Sequence, residues 1–277
     1  MLRRYILFLK KHPLITATLA IVYAVLCIKT MNVDTYLQGF VLRSMLCGAM
    51  AFFLYQISGD KTLASSYNST WYVVKVALGY WILALLLGLI GLATTSDSGA
   101  PLWDNIPYQM FTMFLMFIFV GLFEEMAFRA VINDAIIYKF RNKKYVFVLS
   151  ALVSSLVFGA VHVIGAELNT NIAIGQAIGK TIQTGVFGLT LLFLYWKTRN
   201  IWACGVVHGI YDFLLSIGYG IYNVPDDSRT SYVIAGEAGK GLIIAYAFFT
   251  VIELVIFLLV YLKIGKKIDY QKIREDW

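Results

Sequence analysis

The sequence predicts an all-α fold: a polytopic membrane bundle of about eight transmembrane helices. Three observations predict it. Of the 277 residues, 60% are hydrophobic and only 14% are charged, and the mean hydropathy is +0.73; a soluble domain carries about 25% charge. Eight stretches reach the roughly 20 mostly apolar residues needed to cross a bilayer. The basic residues collect on one side of those stretches, as the positive-inside rule requires.

In chain order, the stretches are about 14–31, 37–57, 71–92, 108–130, 145–165, 172–196, 201–222 and 242–262. Arg3, Arg4, Lys10 and Lys11 precede the first. No small-x-small cleavage site follows it, so it is expected to remain as an uncleaved span. Loop-like material separates the others: 58–70, then 93–106 with Pro101, and 223–239 with Pro225-Asp226-Asp227. There is no long linker and no repeat, so residues 1–277 are read as one membrane-embedded domain. With a cytoplasmic N-terminus, 16 of the 23 Lys and Arg fall inside, three outside (Lys29, Arg229, Lys240) and four within spans (Arg43, Lys75, Arg129, Lys180). An odd number of spans would scramble this bias, so both termini are placed in the cytoplasm. The net charge of +7 is therefore topological, and no nucleic-acid partner is expected. Cys27, Cys47 and Cys204 show no CxxC or Cys/His spacing and read as inert thiols.

The fourth stretch breaks its own pattern. Residues 108–122 carry no charge, yet Phe123-Glu124-Glu125-Met126-Ala127-Phe128-Arg129 follows at once. Each ionisable group at the bilayer centre costs about 2.5–3.5 kcal/mol, so such a cluster needs partners or a watery cavity. Glu125 and Arg129 stand at i,i+4 with the acid first, the better order for an ion pair on one helix face. Glu124, rotated by about 100°, faces elsewhere and needs another partner. A carboxylate so placed is suited to taking and returning a proton.

Both histidines outside the N-terminal tail lie in apolar stretches. His162 shares a helix face with Phe158, and Asp212 sits one turn beyond His208, where it can orient the ring. Counting from the turn near residues 141–142, Glu124 and His162 differ in depth by about 5 Å. His208 lies only about 13 Å from its own basic turn at 197–200, so the end of helix four and the start of helix five are expected to project into the cytoplasm. Gly205 and Gly209 bracket His208 at GxxxG spacing, which favours close helix approach. Gly175 and Gly179 share this spacing beside Gln176 and Lys180, and that face is either a helix contact or the polar wall of a cavity. Arg43 and Lys75 could snorkel or pair and are given no role.

These motifs, in this order, resemble the CAAX-protease and bacteriocin-processing (CPBP, or Abi) family of intramembrane proteases. Its pattern is Glu-Glu-x-x-x-Arg, Phe-x-x-x-His and His-x-x-x-Asn or Asp; here Glu124, Glu125 and Arg129, Phe158 and His162, and His208 and Asp212 match it. The resemblance covers a core of about 108–222. It implies that Glu124 and His162 activate water, that His208 and Asp212 stabilise the oxyanion, and that Glu125, Arg129 and Phe158 support the site. Asp stands where other members have Asn, and an ionised Asp cannot donate a hydrogen bond, so Asp212 is expected to orient His208. Zinc is possible, with Glu124, His162 and His208 as ligands, but glutamate-activated water is preferred and no cofactor is assured.

The expected function is cleavage of a membrane-associated peptide or protein, either a CAAX-type C-terminus or a bacteriocin, leader or signalling peptide. The protein is expected in a bacterial plasma membrane, with lipid and substrate as its partners. Two other classes are kept open. One is a non-catalytic immunity or scaffold protein that binds a peptide or partner, and the other is a proton-coupled transporter using Glu124 and Lys180, for which no inverted repeat is found.

Overall fold

A chain in hydrocarbon must satisfy every backbone N–H and C=O internally, and helices do so within one segment. A computed structural model of the chain describes residues 2–30, 33–59, 62–224, 232–234 and 238–275, which are almost entirely helical. The helices are α1 (Leu2–Lys11), α2 (Pro13–Thr30), α3 (Tyr36–Ser58), α4 (Tyr67–Asp97), α5 (Ile106–Glu125), a π-helical turn (Met126–Ile132) and α6 (Asn133–Phe140). They continue with α7 (Val146–Val161), α8 (Asn171–Thr198), α9 (Ile201–Leu215), α10 (Ile217–Ile221), α11 (Ala238–Ile264) and α12 (Tyr270–Glu275). Polar caps start five of them. Thr35 and Ser66 form capping boxes with Gln38 and Ser69, and Asn105, Thr170 and Asn200 each accept a backbone N–H three residues on.

Five helical segments are long and apolar enough to cross a membrane: Tyr36–Ser58, Tyr67–Asp97, Ile106–Phe140, Asn171–Thr198 and Gly239–Lys267. The chain is an integral membrane protein. The other three expected spans are shorter apolar helices, Pro13–Ile28, Val146–Val161 and Ile201–Leu215. Two of these shortfalls have visible causes. The stretch 145–165 stops being helical after Val161, with His162 as the C-cap, and 201–222 breaks at Ser216 between α9 and α10.

The segments expected on the basic side meet at one end of the bundle. Arg199 reaches Asp134 and Thr62, Asn200 donates to Ser69 and Thr70, and Trp202 donates to the Leu63 carbonyl. Lys197 bonds the Lys267 carbonyl and Arg274 the Lys144 carbonyl. Lys10 lies over the Tyr55 ring. At the opposite end, Trp103 and Asn223 exchange backbone hydrogen bonds with Ile221 and Pro101, and Tyr36 and Trp103 both donate to the Tyr219 carbonyl. The expected turn Pro225-Asp226-Asp227, together with Lys61 and Arg229, lies outside the described residues.

Two contacts fix the register of the antiparallel pair α5–α6 and α9. Glu125 meets His208 at 2.9 Å, and Asp134 meets Arg199 at 3.1 Å. Both partners move nine residues between those contacts, so Asp134 is level with the basic turn at 197–200. The helical run 106–140 continues six residues beyond that level, about 9 Å. The pair packs backbone to backbone. A Cβ on Gly205 would come within 2.7 Å of the Leu122 Cα, one on Gly209 within 2.6 Å of the Ile118 Cα, and one on Gly121 would overlap the Gly205 carbonyl. The Gly175 and Gly179 face is a helix contact, seated against Ile243 and Tyr246 of α11.

Candidate active site

The close seam between α5 and α9 delivers adjacent carboxylates to one imidazole. His208 Nδ1 lies 2.9 Å from Glu125 Oε1, while Nε2 lies 3.4 Å from Asp212 Oδ2 and 3.8 Å from Glu124 Oε2. An ionised carboxylate only accepts, so the ring must supply the hydrogen toward Glu125, and Nε2 is the nitrogen turned toward the other two acids. Exposure separates their surroundings. The Glu125 side chain is 0% and Arg129 1% exposed, whereas Glu124 is 19% and Asp212 24% exposed. The first pair is sealed, and the second is partly exposed.

Arg129 Nε lies 3.2 Å from Glu125 Oε2, the pair expected from i,i+4 spacing. Glu125, however, is not consumed by Arg129: its other oxygen holds His208. The Arg129 guanidinium lies flat on Phe158, 3.7 Å from the ring centroid, a cation–π contact in a dry setting. Gly188 makes room for both, since a Cβ there would come within 2.7 Å of Arg129 Nη2 and 3.0 Å of Phe158.

Phe158 is the hub of the three motifs. Its ring meets Arg129, His162 edge-on at 4.9 Å and His208 edge-on at 5.8 Å. His162 Nδ1 lies 2.7 Å from the Phe158 carbonyl, which can only accept, so Nδ1 carries the hydrogen and Nε2 is left with a free lone pair. The far side of His162 faces the Tyr232 ring at 5.8 Å. The expected partnership of Glu124 with His162 is therefore not a direct contact: among the described residues the histidine that Glu124 meets is His208, at 3.8 Å. The π turn begins immediately after Glu125, and its Phe128 carbonyl accepts from Ser154 of α7 at 2.7 Å. Such turns are frequent at functional sites.

Several polar groups beyond the motifs face the same region. The Arg43 guanidinium lies 6.0 Å from the Phe123 ring and within the field of Glu124. Glu253 of α11 is 1% exposed, and its Oε1 accepts from Gln183 at 2.6 Å and Tyr211 at 3.2 Å. Sequence reasoning passed over Glu253, because a single acid in an apolar helix without a motif gives only a weak signal of a polar interior. Lys180 donates to Gln183 at 3.2 Å and sits 4.4 Å over Tyr232.

The proposed zinc ligands do not form a cage. Among the described residues no three His, Cys, Asp or Glu side chains converge at ligand spacing, and His162 is turned to its own backbone and Tyr232.

Residues 106–214 match the model of a family described as Type II CAAX prenyl endopeptidase Rce1-like. That span contains all three motifs and agrees with the resemblance they carry, so the segment that builds this site is a protease core. No curated protein and no solved structure matched the chain.

Proposed function

From the protease-family match of residues 106–214 we infer that the protein hydrolyses a peptide bond in a membrane-associated peptide or protein, using a water activated by Glu124. The observation that carries this reading is the asymmetry around His208. One acid, Glu125, is sealed and neutralised, while a second, Glu124, is partly exposed with no ion pair shorter than 3.8 Å among the described residues. A base must be able to reach its proton, and only Glu124 and Asp212 are accessible.

In the proposed mechanism, Glu124 Oε accepts a proton from water, and the free Nε2 of His162 orients that water by accepting its second hydrogen. The water oxygen attacks the scissile carbonyl carbon, and the π electrons move to the carbonyl oxygen. His208, protonated at both nitrogens between its carboxylates, donates from Nε2 toward that oxygen. Asp212 fixes the ring from one turn away, and Glu125 fixes it at Nδ1, with Arg129 and Phe158 behind. Collapse breaks the C–N bond, and the proton held by Glu124 passes to the leaving nitrogen.

The substrate is proposed to be a CAAX-type C-terminus or a bacteriocin, leader or signalling peptide. The bundle is proposed to span a bacterial plasma membrane eight times, counting the three shorter helices, with both termini in the cytoplasm. The test is cleavage of a reporter peptide by the purified full-length protein. Glu124→Gln and His162→Ala are each expected to lower turnover by about 10²–10⁴-fold, the range for a general acid–base group, with melting temperature retained. Full activity in either variant would refute the assignment, as would a panel of reporters left intact by the native protein. Turnover unchanged after verified metal removal is expected of glutamate-activated water, and metal-restored activity would favour zinc instead.

A further inference from the structure

Acyl transfer needs positive charge or hydrogen-bond donors where the carbonyl oxygen becomes an anion. The partly exposed carboxylates of this site carry the opposite sign. They are Glu124 and Asp212, and Glu125 lies behind. Asp212 cannot donate while ionised. Arg129 is 1% exposed and held between Glu125 and Phe158, so it cannot reach a substrate. Arg43, beside Phe123, offsets the Glu124 charge, which leaves His208 to face the oxyanion with carboxylates at both of its nitrogens.

Lys180 is placed to correct this balance. It lies on α8, seven and eight residues before Phe187 and Gly188, and therefore on their helix face, about 10–12 Å along the axis. Phe187 meets the His208 ring at 5.1 Å, and Gly188 accommodates Arg129 and Phe158. The Lys180 Nζ rests 4.4 Å over the same Tyr232 ring that His162 faces at 5.8 Å, so the lysine and the histidine share one wall. Its Nζ also lies 5.9 Å from the Tyr246 ring, and Glu124, Asp212, Glu253 and His162 are within its electrostatic reach. Among the described residues Nζ makes one hydrogen bond, to Gln183 Oε1, which leaves two of its three donors for another acceptor. Gln183 is itself oriented. Glu253 can only accept, so the amide nitrogen of Gln183 must face it at 2.6 Å, and its oxygen then faces Lys180.

We propose that Lys180 is a further catalytic residue, its ammonium donating a hydrogen bond to the oxyanion of the tetrahedral intermediate, with Gln183 and Glu253 as its positioning residues. The inference rests on the protease reading above. No proton leaves the lysine: the proton taken from water travels through Glu124 to the leaving nitrogen, and the ammonium lowers the energy of the charge formed between those transfers.

The experiment compares Lys180→Met and Lys180→Arg with the native protein for reporter cleavage and for binding of a peptidyl phosphonate, whose anionic oxygen mimics the intermediate. Lys180→Met is expected to lower kcat by about 100-fold with KM unchanged, as for loss of one oxyanion donor, and to weaken phosphonate binding by a similar factor. Lys180→Arg keeps the cation and is expected to retain more activity than Lys180→Met. A purely structural lysine would lower the melting temperature and raise KM without separating phosphonate from substrate. That pattern, or unchanged kcat in Lys180→Met while Glu124→Gln is inactive, overturns the lysine's role alone. A native protein inactive on every reporter overturns the protease reading and the lysine's role together.

Discussion

At the scale of single residues, the site depends on groups that touch no substrate. Glu125 is ion-paired through one oxygen with Arg129 and hydrogen-bonded through the other to His208, at full burial. Removing one partner of a buried pair costs about 3–5 kcal/mol because the other charge is stranded. Glu125→Gln is therefore expected to lower the melting temperature and reduce cleavage, whereas Glu124→Gln should leave melting nearly unchanged. Gly188→Ala tests the same core without touching a charge. Its methyl would press on Arg129 and Phe158, and since both are packed the expected result is a loss of activity and thermal stability, read by the two assays together. The Glu125–Arg129 pair was legible in the sequence, because i,i+4 spacing on a helix is local. The bond from Glu125 to His208 was not, since it joins residues 83 positions apart and depends on how two helices are brought together. Helix rotation separates Glu124 from Glu125, whereas depth and the family resemblance paired it with His162, and its contact with the His208 ring at 3.8 Å was not legible in either.

At the scale of elements, the glycine seam between α5 and α9 does most to create the site. The spacing of Gly205 and Gly209 announced a close approach, and the structure supplies the partner: Gly121 and the Phe117–Leu122 backbone. Gly209→Val would drive a branched side chain into the backbone of α5 and part the two helices by more than a hydrogen bond can span. The expected outcome is loss of cleavage with a large fall in melting temperature. Gly175→Ala meets only the tip of Ile243, a flexible side chain, and should be far milder in both measurements. Hydropathy located the apolar helices but overstated the helical length of two of the stretches, 145–165 and 201–222, because apolar composition does not reveal where a helix stops. Val161 and Leu215 end helices inside uniformly apolar text, and the positions that follow, His162 and Ser216, were visible only as residues. The π turn had no sequence signature at all.

At the scale of the whole molecule, the two ends of the bundle differ in charge and in how they are tied. The basic end is held by the bidentate pair of Arg199 with Asp134, joined by Tyr195 at 2.6 Å. Arg199 caps the end of α8 in a left-handed backbone, φ 52°, its N–H bonded to the Tyr195 carbonyl, at a cost of about 1–2 kcal/mol for a residue with a Cβ. The sidedness proposed from Lys and Arg counts predicts labelling by an impermeant maleimide. A cysteine at Asn142 should react only from the cytoplasmic side and one at Ser98 only from outside, while the native Cys47 and Cys204 are buried and should stay silent. Reaction of both from one side would refute the topology. Charge bias along the chain foretold which loops gather at each end, since that follows from insertion rules acting on local sequence. It could not foretell the polar interior around Gln183, Tyr211 and Glu253, where each member is a solitary polar residue and only assembly makes them a network.

The π turn at Met126–Ile132 sits between the two contacts that fix the register, Glu125 with His208 and Asp134 with Arg199. Losing one residue there would turn everything beyond it by about 100° relative to the carboxylates above. Asp134 would then leave Arg199, or Glu125 would leave His208. Gaps are thus penalised in this stretch even where substitutions are not, so descendants of this chain can vary its letters more freely than its length.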